Sequence, residues 1–129
     1  MNILLDTHTL LWLLSQPNAL NAEVLGQLAD PATSVWVSAA SAWEIAIKTR
    51  LGRLEGSTLL STWTSQLEAM RVDDLSIDSD DAILAGRLPW DHRDPFDRVI
   101  VAQALRRNLT VATRDAKILA AALTPTLKA

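Results

Sequence analysis

The stretch at residues 3–12 constrains the fold most, because it changes from a strand pattern to a helix pattern at one acid, Asp6. Residues 3–5 form an unbroken apolar run, which is typical of a strand buried on both faces. The apolar residues that begin at Leu10 favour a short buried helix, capped by Thr7 or Thr9. Ligands in folds that begin with such a strand–helix step lie beyond the carboxyl ends of the strands. Asp6 therefore stands where this fold places its chemistry, or it merely caps the helix.

The rest of the chain continues this alternation of strands and helices. Buried strands are predicted at residues 34–37 and 109–113, with a weaker strand at 71–77 and an edge strand at 126–127. Helices are predicted at residues 39–51, 57–70, 78–87, 95–108 and 116–123. On the first of these, Trp43, Ile47 and Leu51 recur at i, i+4 and i+8, which predicts that they form its buried face. The pattern indicates an α/β fold around a parallel sheet.

Length and composition exclude several classes of protein. A chain of 129 residues suits one domain, residues 1–129, with a single core. The chain has no cysteine, which excludes disulfides, zinc–thiolate sites and thiol catalysis. No apolar run is long enough for a membrane span, so we expect a cytoplasmic protein without membrane contact. The net charge of −3 opposes bulk electrostatic binding of nucleic acid, so any such contact would be local or would need metal ions.

Four acids from separate parts of the chain fall on the strand-to-helix side of the predicted sheet. They are Asp6, Glu44, Asp97 and Asp115. Each also has a structural interpretation: Asp6 as a cap, Glu44 as an exposed ion pair with Lys48, and Asp97 as part of a capping box begun by Asp94 and Pro95. A parallel sheet would bring all four acids together at one rim.

Clustered carboxylates repel one another and raise each other's pKa unless a cation lies between them. Oxygen ligands without cysteine or a histidine pair favour Mg²⁺ or Mn²⁺. The reaction that such a site performs best is hydrolysis of a phosphodiester, in which the metal polarises the phosphoryl oxygen and activates water. The four acids therefore predict a metal-dependent phosphodiesterase site.

Four motifs in order, LLDTHTLLW, SAASAWEIAIKTRLGRL, HRDPFDRVIVAQA and TVATRD, resemble the PIN-domain family, specifically the VapC-type toxins of toxin–antitoxin pairs. The resemblance covers essentially the whole chain. The resemblance implies a three-layer α/β/α sandwich around a central parallel sheet. It also implies a Mg²⁺- or Mn²⁺-dependent endoribonuclease that hydrolyses RNA. The protein would form a homodimer and would be inhibited by a cognate antitoxin. The carboxyl-terminal segment is short for the last strand of the family.

The resemblance also assigns roles to single residues. Asp6, Glu44, Asp97 and Asp115 match the acidic quartet of the family: Asp6 and Asp97 would hold the metal, Asp115 would complete the site, and Glu44 would orient or deprotonate the attacking water. Thr113 matches a hydroxyl that orients ligands. Asp94 matches an additional acid of the DPFDR motif. Arg93, Arg98 and Arg114 lie near these acids and could contact phosphate, or could serve only as counter-ions.

Three other kinds of protein compete with this interpretation. A receiver-type phosphoacceptor domain needs adjacent acids after its first strand and a lysine after its last one, and a haloacid-dehalogenase-type phosphatase needs an acid at the position of His8. The remaining alternative is a PIN-like module that lacks catalysis and binds only RNA or protein. The complete acidic quartet argues against this alternative, and a measurement of RNA cleavage distinguishes the two.

Overall fold

The centre of the protein is a five-stranded sheet in which every pair of neighbouring strands is parallel. The computed structural model describes all residues 1–129. The strands are β1 (Asn2–Leu5), β2 (Ser34–Ser38), β3 (Val72–Leu75), β4 (Thr110–Thr113) and β5 (Thr126–Lys128). Their order across the sheet is β3-β2-β1-β4-β5, so the amino-terminal apolar run forms the middle strand, as expected of a run without polar residues.

Eight α-helices and one short 3-10 turn at Pro17–Ala19 connect the strands. The helices are α1 (Thr7–Ser15), α2 (Ala22–Ala29), α3 (Ala39–Arg50), α4 (Ser57–Ser61), α5 (Trp63–Met70), α6 (Ser79–Arg87), α7 (Pro95–Arg107) and α8 (Ala116–Ala121). None of them combines the length and the apolar character that a membrane crossing requires.

Side chains of β1 alternate between two hydrophobic cores. Leu4 faces a core that α6, α7 and α8 complete, whereas Ile3 and Leu5 face a core that α1, α3 and α5 complete. All three side chains are fully buried, and each contributes roughly 1.5–3 kcal/mol to the free energy of folding. Because helices cover both faces of the sheet, the predicted three-layer α/β/α sandwich is confirmed.

The direction of strand addition reverses at β1. The chain first adds β2 and β3 on one side of β1, and later adds β4 and β5 on the other side. The crevice beyond the carboxyl ends of β1 and β4 is therefore the topological switch point, where open α/β sheets bind ligands. Asp6 follows β1 directly, and Asp115 follows β4 after one intervening residue.

The single helix predicted at residues 57–70 is wrong, because the structure divides it into α4 and α5 at Thr62. The side-chain hydroxyls of Ser61 and Thr62 both donate to the carbonyl of Thr58, at 3.0 and 2.7 Å. Such local hydrogen bonds compete with the helical backbone pattern. The apolar periodicity continues through the break, which is why the sequence pattern did not reveal it.

The predicted buried face of α3 is also wrong. Trp43 is 55% exposed and Leu51 is 49% exposed. The face that packs inward instead comprises Ala40, Ser41, Glu44 and Ile45, of which only Ile45 is a large apolar side chain. The Ser41 hydroxyl lies 2.9 Å from that of Thr7 on α1. Burial of Ile45 in the core and a buried polar contact with α1 therefore set the orientation of α3.

Candidate active site

A polar cleft of about 80 Å³ lies at the switch point. No apolar residue lines it, and five of its eight lining residues are acids. The lining comprises Asp6, Thr7, His8, Glu44, Lys48, Asp94, Asp97 and Asp115. The structure thus brings the four acids predicted from the sequence to one place, together with Asp94, whereas their chemical roles stay predictions.

Three of these acids cap helices, and each does so with only one carboxylate oxygen. Asp6, Asp94 and Asp115 are the N-caps of α1, α7 and α8. In each of them Oδ1 accepts hydrogen bonds from backbone amides of the first turn, at distances between 2.8 and 3.3 Å. The second oxygen takes no part in the cap. The capping interpretation and the site interpretation are therefore compatible, because the cap fixes the carboxylate while Oδ2 stays available for other contacts.

The hydroxyl of Thr113 connects two of the acids across the switch point. It donates to Asp6 Oδ2 at 2.5 Å and accepts the backbone N–H of Asp115 at 3.0 Å. Thr113 is fully buried at the end of β4. One side chain thus sets both the orientation of Asp6 and the path of the chain into Asp115.

Glu44 enters the cleft from α3 and is only 6% exposed. Its Oε2 accepts a hydrogen bond from Lys48 Nζ at 2.7 Å, so the ion pair considered from the sequence exists, but it lies at the cleft instead of on an exposed face. Its Oε1 is buried without a hydrogen-bond partner. A buried carboxylate oxygen without a partner is costly, and it fits a site that binds a cation or a water molecule.

Asp97 projects from the first turn of α7 and pairs with His92, whose Nε2 lies 2.7 Å from Asp97 Oδ2. Burial raises the pKa of the Asp97 carboxyl to about 6 against the effect of the His92 hydrogen bond, and the negative charges of Asp94 and Asp115 raise it further. Ionisation of Asp97 is thus opposed in the protein alone. A cation in the cleft would remove that opposition.

His92 is the residue that the sequence reasoning missed. One ligand atom from each of His92, Asp94 and Asp97 lies within 4.8 Å of the other two, a tighter group than any three of the four predicted acids form. Nothing in its spacing along the chain is diagnostic, so the sequence pattern gives His92 no role. Its position two residues before Asp94 and five before Asp97, at the start of HRDPFDR, is the signal that could have identified it.

Two of the three arginines considered as phosphate contacts have structural roles. The guanidinium of Arg98 donates to the backbone carbonyls of Ala85, Leu88, Trp90 and His92. That of Arg114 donates to the carbonyls of Ala19 and Ala129 and lies 4.4 Å from the ring centroid of Trp12. Arg93 is exposed and forms neither an ion pair nor a side-chain hydrogen bond. Of these three arginines, only Arg93 therefore keeps a free guanidinium.

The donor atoms of the cleft fit a hard divalent cation. Carboxylate oxygens dominate the lining, one of them on Glu44 is buried without a partner, and Asp97 resists ionisation in the protein alone. Oxygen-rich sites of this kind favour Mg²⁺ or Mn²⁺ over softer metals. Lys48 is the only lysine or arginine that lines the cleft, and it is already paired with Glu44.

Comparison with known proteins accounts for an acidic site at this place in the fold. Residues 3–123 match the PIN domain family. The chain belongs to the PIN domain family. PIN domains are generally nucleases and typically bind a divalent metal. A search of curated proteins found no match to the sequence.

Several solved structures share the fold of this PIN domain, and one of them is a toxin-antitoxin complex. FitAcB from Neisseria gonorrhoeae is 26% identical, with a TM-score of 0.62 over 98% of this chain and 96% of the other. VapBC-1 from nontypeable Haemophilus influenzae is 18% identical to this chain, with a TM-score of 0.73. The match covers 99% of this chain and 98% of the VapBC-1 chain. A chain of a toxin-antitoxin complex from Klebsiella pneumoniae is 18% identical to this chain, with a TM-score of 0.62. The match covers 98% of this chain and 96% of the other chain.

Proposed function

We propose that this PIN domain is a Mg²⁺- or Mn²⁺-dependent endoribonuclease that hydrolyses RNA phosphodiester bonds and acts as the toxin of a toxin–antitoxin pair. The observation that carries the proposal is the convergence of Asp6, Glu44, Asp97 and Asp115 on one small cleft without apolar residues. Membership of a family of nucleases supports the reaction class. Similarity to toxin–antitoxin structures supports the biological role.

Each acid has a distinct role in this proposal. Asp6 and Asp97 hold the divalent ion, and Asp115 completes its site. A bound ion supplies Lewis acidity that polarises the scissile phosphate and offsets its negative charge. Glu44 orients the attacking water through Oε1 and accepts its proton, since Lys48 already occupies Oε2. Thr113 holds Asp6 in position throughout.

We also propose that the inhibitory partner is an antitoxin and that the nuclease is a homodimer. Apolar surface supports both contacts. A groove of about 260 Å³ between α1, α2 and the edge of the sheet is lined only by apolar residues, among them Leu13, Leu28 and Met70, and suits an apolar antitoxin segment. The side chains of Trp43 and Leu51 are half exposed on α3. Light scattering on the purified chain measures the dimer, and mass spectrometry of proteins that copurify from the native cell tests for the antitoxin.

The test of the nuclease is cleavage of a mixed RNA pool by the purified, antitoxin-free protein with Mg²⁺ or Mn²⁺. We expect cleavage that EDTA abolishes and that Asp6→Asn lowers at least a hundredfold, because the variant keeps the cap to Thr9 but loses a charged ligand. Asp73→Asn is the matched control, since Asp73 is an exposed acid on the edge strand β3 and lies outside the cleft. Its activity should equal that of the wild type.

Two outcomes would contradict the proposal. Cleavage that persists in EDTA and in Asp6→Asn would assign the activity to a contaminant. No cleavage by folded wild-type protein, combined with RNA affinity that is unchanged when divalent ions are chelated, would favour the module that binds without catalysis.

A further inference from the structure

A second and larger cavity, of about 720 Å³, adjoins the acidic cleft. The two depressions share Asp94, and His92 of the cavity is the residue that pairs with Asp97 of the cleft. The volume of the larger cavity is within the range of small-ligand sites, about 300–1,000 Å³. A group bound in the cavity would therefore lie directly beside a phosphate bound at the acids.

The charge of this cavity differs from that of the cleft. Arg93 and Lys117 line it, both are exposed, and neither has an acid within ion-pair distance or a side-chain hydrogen bond. The acids Asp91 and Asp94 line it as well, yet they do not pair with these cations. Two free cations beside a hydrolytic site are available to bind phosphate.

The aromatic wall of the cavity is held rigidly. Trp90 and His92 form this wall, with ring centroids 4.8 Å apart. Arg98 donates to the backbone carbonyls of both residues, at 2.7 and 2.9 Å, and Trp90 also packs against the hydrophobic core. Ala120 and Ala121 of α8 also line the cavity, and their small side chains leave space. An aromatic face beside open space suits a stacked nucleobase.

We propose that this cavity is a subsite for one nucleotide of single-stranded RNA next to the scissile bond. The base stacks on Trp90, and its phosphate contacts Arg93 and Lys117. The inference rests on the proposed function, because it assigns the cavity to the same substrate as the acids. It adds a specificity-determining surface that neither the acidic quartet nor the antitoxin groove includes.

The test measures binding and cleavage separately. Binding uses fluorescence anisotropy of 5′-labelled twelve-nucleotide oligouridine and oligoadenine with Asp6→Asn protein and Mg²⁺ across a salt series. We expect the Arg93→Ala/Lys117→Ala pair of changes to weaken binding at least tenfold and to lower the slope of log K against log salt by about 0.7, because both cations contact one phosphate. Arg50→Ala is the matched control, because Arg50 is an exposed cation at the far end of α3.

The stacking contact is tested by Trp90→Ala and Trp90→Phe. We expect about tenfold weaker binding for alanine and near wild-type binding for phenylalanine, which keeps an aromatic face. In the active protein, the Arg93→Ala/Lys117→Ala changes should raise KM for oligoribonucleotides and leave kcat nearly unchanged, since both cations act on binding. The double substitution of exposed residues keeps the test valid even if Trp90→Ala unfolds.

The outcomes separate the two proposals. Normal cleavage with unchanged KM, affinity and salt slope in the Arg93→Ala/Lys117→Ala protein would overturn the subsite and leave the nuclease intact. Binding that depends on Arg93 and Lys117, without any cleavage by the wild type, would support the subsite and overturn the nuclease. Salt slopes that fall equally in Arg50→Ala would also overturn the subsite, because they would show only a general charge effect.

Discussion

At the scale of single residues, the hydroxyl of Thr113 has an influence that its size does not suggest. It joins a carboxylate at the end of β1 to the backbone at the end of β4. Thr113→Val keeps the shape of the side chain and removes its hydrogen bonds to Asp6 Oδ2 and to the backbone N–H of Asp115. We expect a loss of about 1–3 kcal/mol in the free energy of unfolding, because two buried polar groups lose their partner, and at least a tenfold loss of cleavage.

Urea unfolding and RNA cleavage measure these two effects. Thr113→Ser is the control, since it keeps the hydroxyl and should retain most of the activity. Equal activity of the valine and serine variants would show that the hydroxyl does not orient Asp6.

The raised pKa of Asp97 leads to a prediction about pH. Its folded pKa of about 6 exceeds the ordinary value of 3.8, so the folded state binds the extra proton between those two values. Ionisation of Asp97 therefore destabilises the metal-free protein, with a penalty that grows as the pH rises from about 4 to 6 and is complete above 6.

In EDTA, we expect Asp97→Asn to be more stable than the wild type at pH 8 by on the order of 2–3 kcal/mol and to lose this advantage near pH 4. Urea unfolding across that range measures the difference. An advantage that does not vary with pH would show that the asparagine acts through the His92 contact rather than through charge.

At the scale of secondary-structure elements, one buried acid joins α6 to α7. Asp81 is fully buried and accepts hydrogen bonds from Arg106, Arg107 and Gln103. Burial opposes its ionisation, but the hydrogen bonds from Arg107 and its other partners outweigh burial and hold the pKa of Asp81 well below its ordinary value. The acidic run at residues 78–81 thus has a structural role, because it caps α6 and joins that helix to α7.

Asp81→Asn should lower the free energy of unfolding by about 3 kcal/mol at neutral pH. Because the folded pKa of Asp81 is lowered, its stabilising effect is complete above about pH 4 and declines as the pH falls further. We expect the difference between variant and wild type to be constant from pH 5 to 8 and to shrink below pH 4. Urea unfolding at each pH measures it, with Asp80→Asn, an exposed neighbour, as control.

The fold was predictable where local pattern and burial agree. The apolar run of β1, the cap at Asp94 and the edge strand near residues 126–127 all follow from residues close together in the chain. The break at Thr62 and the orientation of α3 depend on competing hydrogen bonds and on a buried polar contact with α1, which periodicity does not report.

The four acids of the candidate site were predictable from the sequence, but the residues that contact them were not. Asp6, Glu44, Asp97 and Asp115 were identified because strand ends and motif spacing place them at one rim. The pairing of His92 with Asp97 and the binding of Arg98 to loop carbonyls depend on the conformation of the loop at residues 88–94. Arg98 of α7 fixes that conformation through carbonyls up to 13 residues away, and a local sequence pattern does not report such contacts.

At the scale of the whole molecule, the proposed metal binding in the cleft would be coupled to folding. A cation that binds only the folded state stabilises it by about 2.7 kcal/mol at a concentration one hundred times its dissociation constant. We expect Mg²⁺ or Mn²⁺ to raise the Tm of the wild type by several degrees relative to EDTA. Scanning calorimetry measures the shift.

Asp6→Asn should lose most of this shift, whereas Asp73→Asn should keep it. An equal shift in all three proteins would place the metal outside the cleft. Because this readout does not require cleavage, it tests the metal site even for an RNA target that has not been found.

The central position of β1 also sets when the cleft can form during synthesis. Asp6 follows β1, but its partner Thr113 is 107 residues further along the chain. At about 5–20 residues per second, roughly 5–20 s of translation separates the two. Until β4 emerges, Asp6 lacks both the Thr113 hydroxyl and Asp115, and the cleft is incomplete. The proposed nuclease would therefore be inactive while residues 1–109 are being translated.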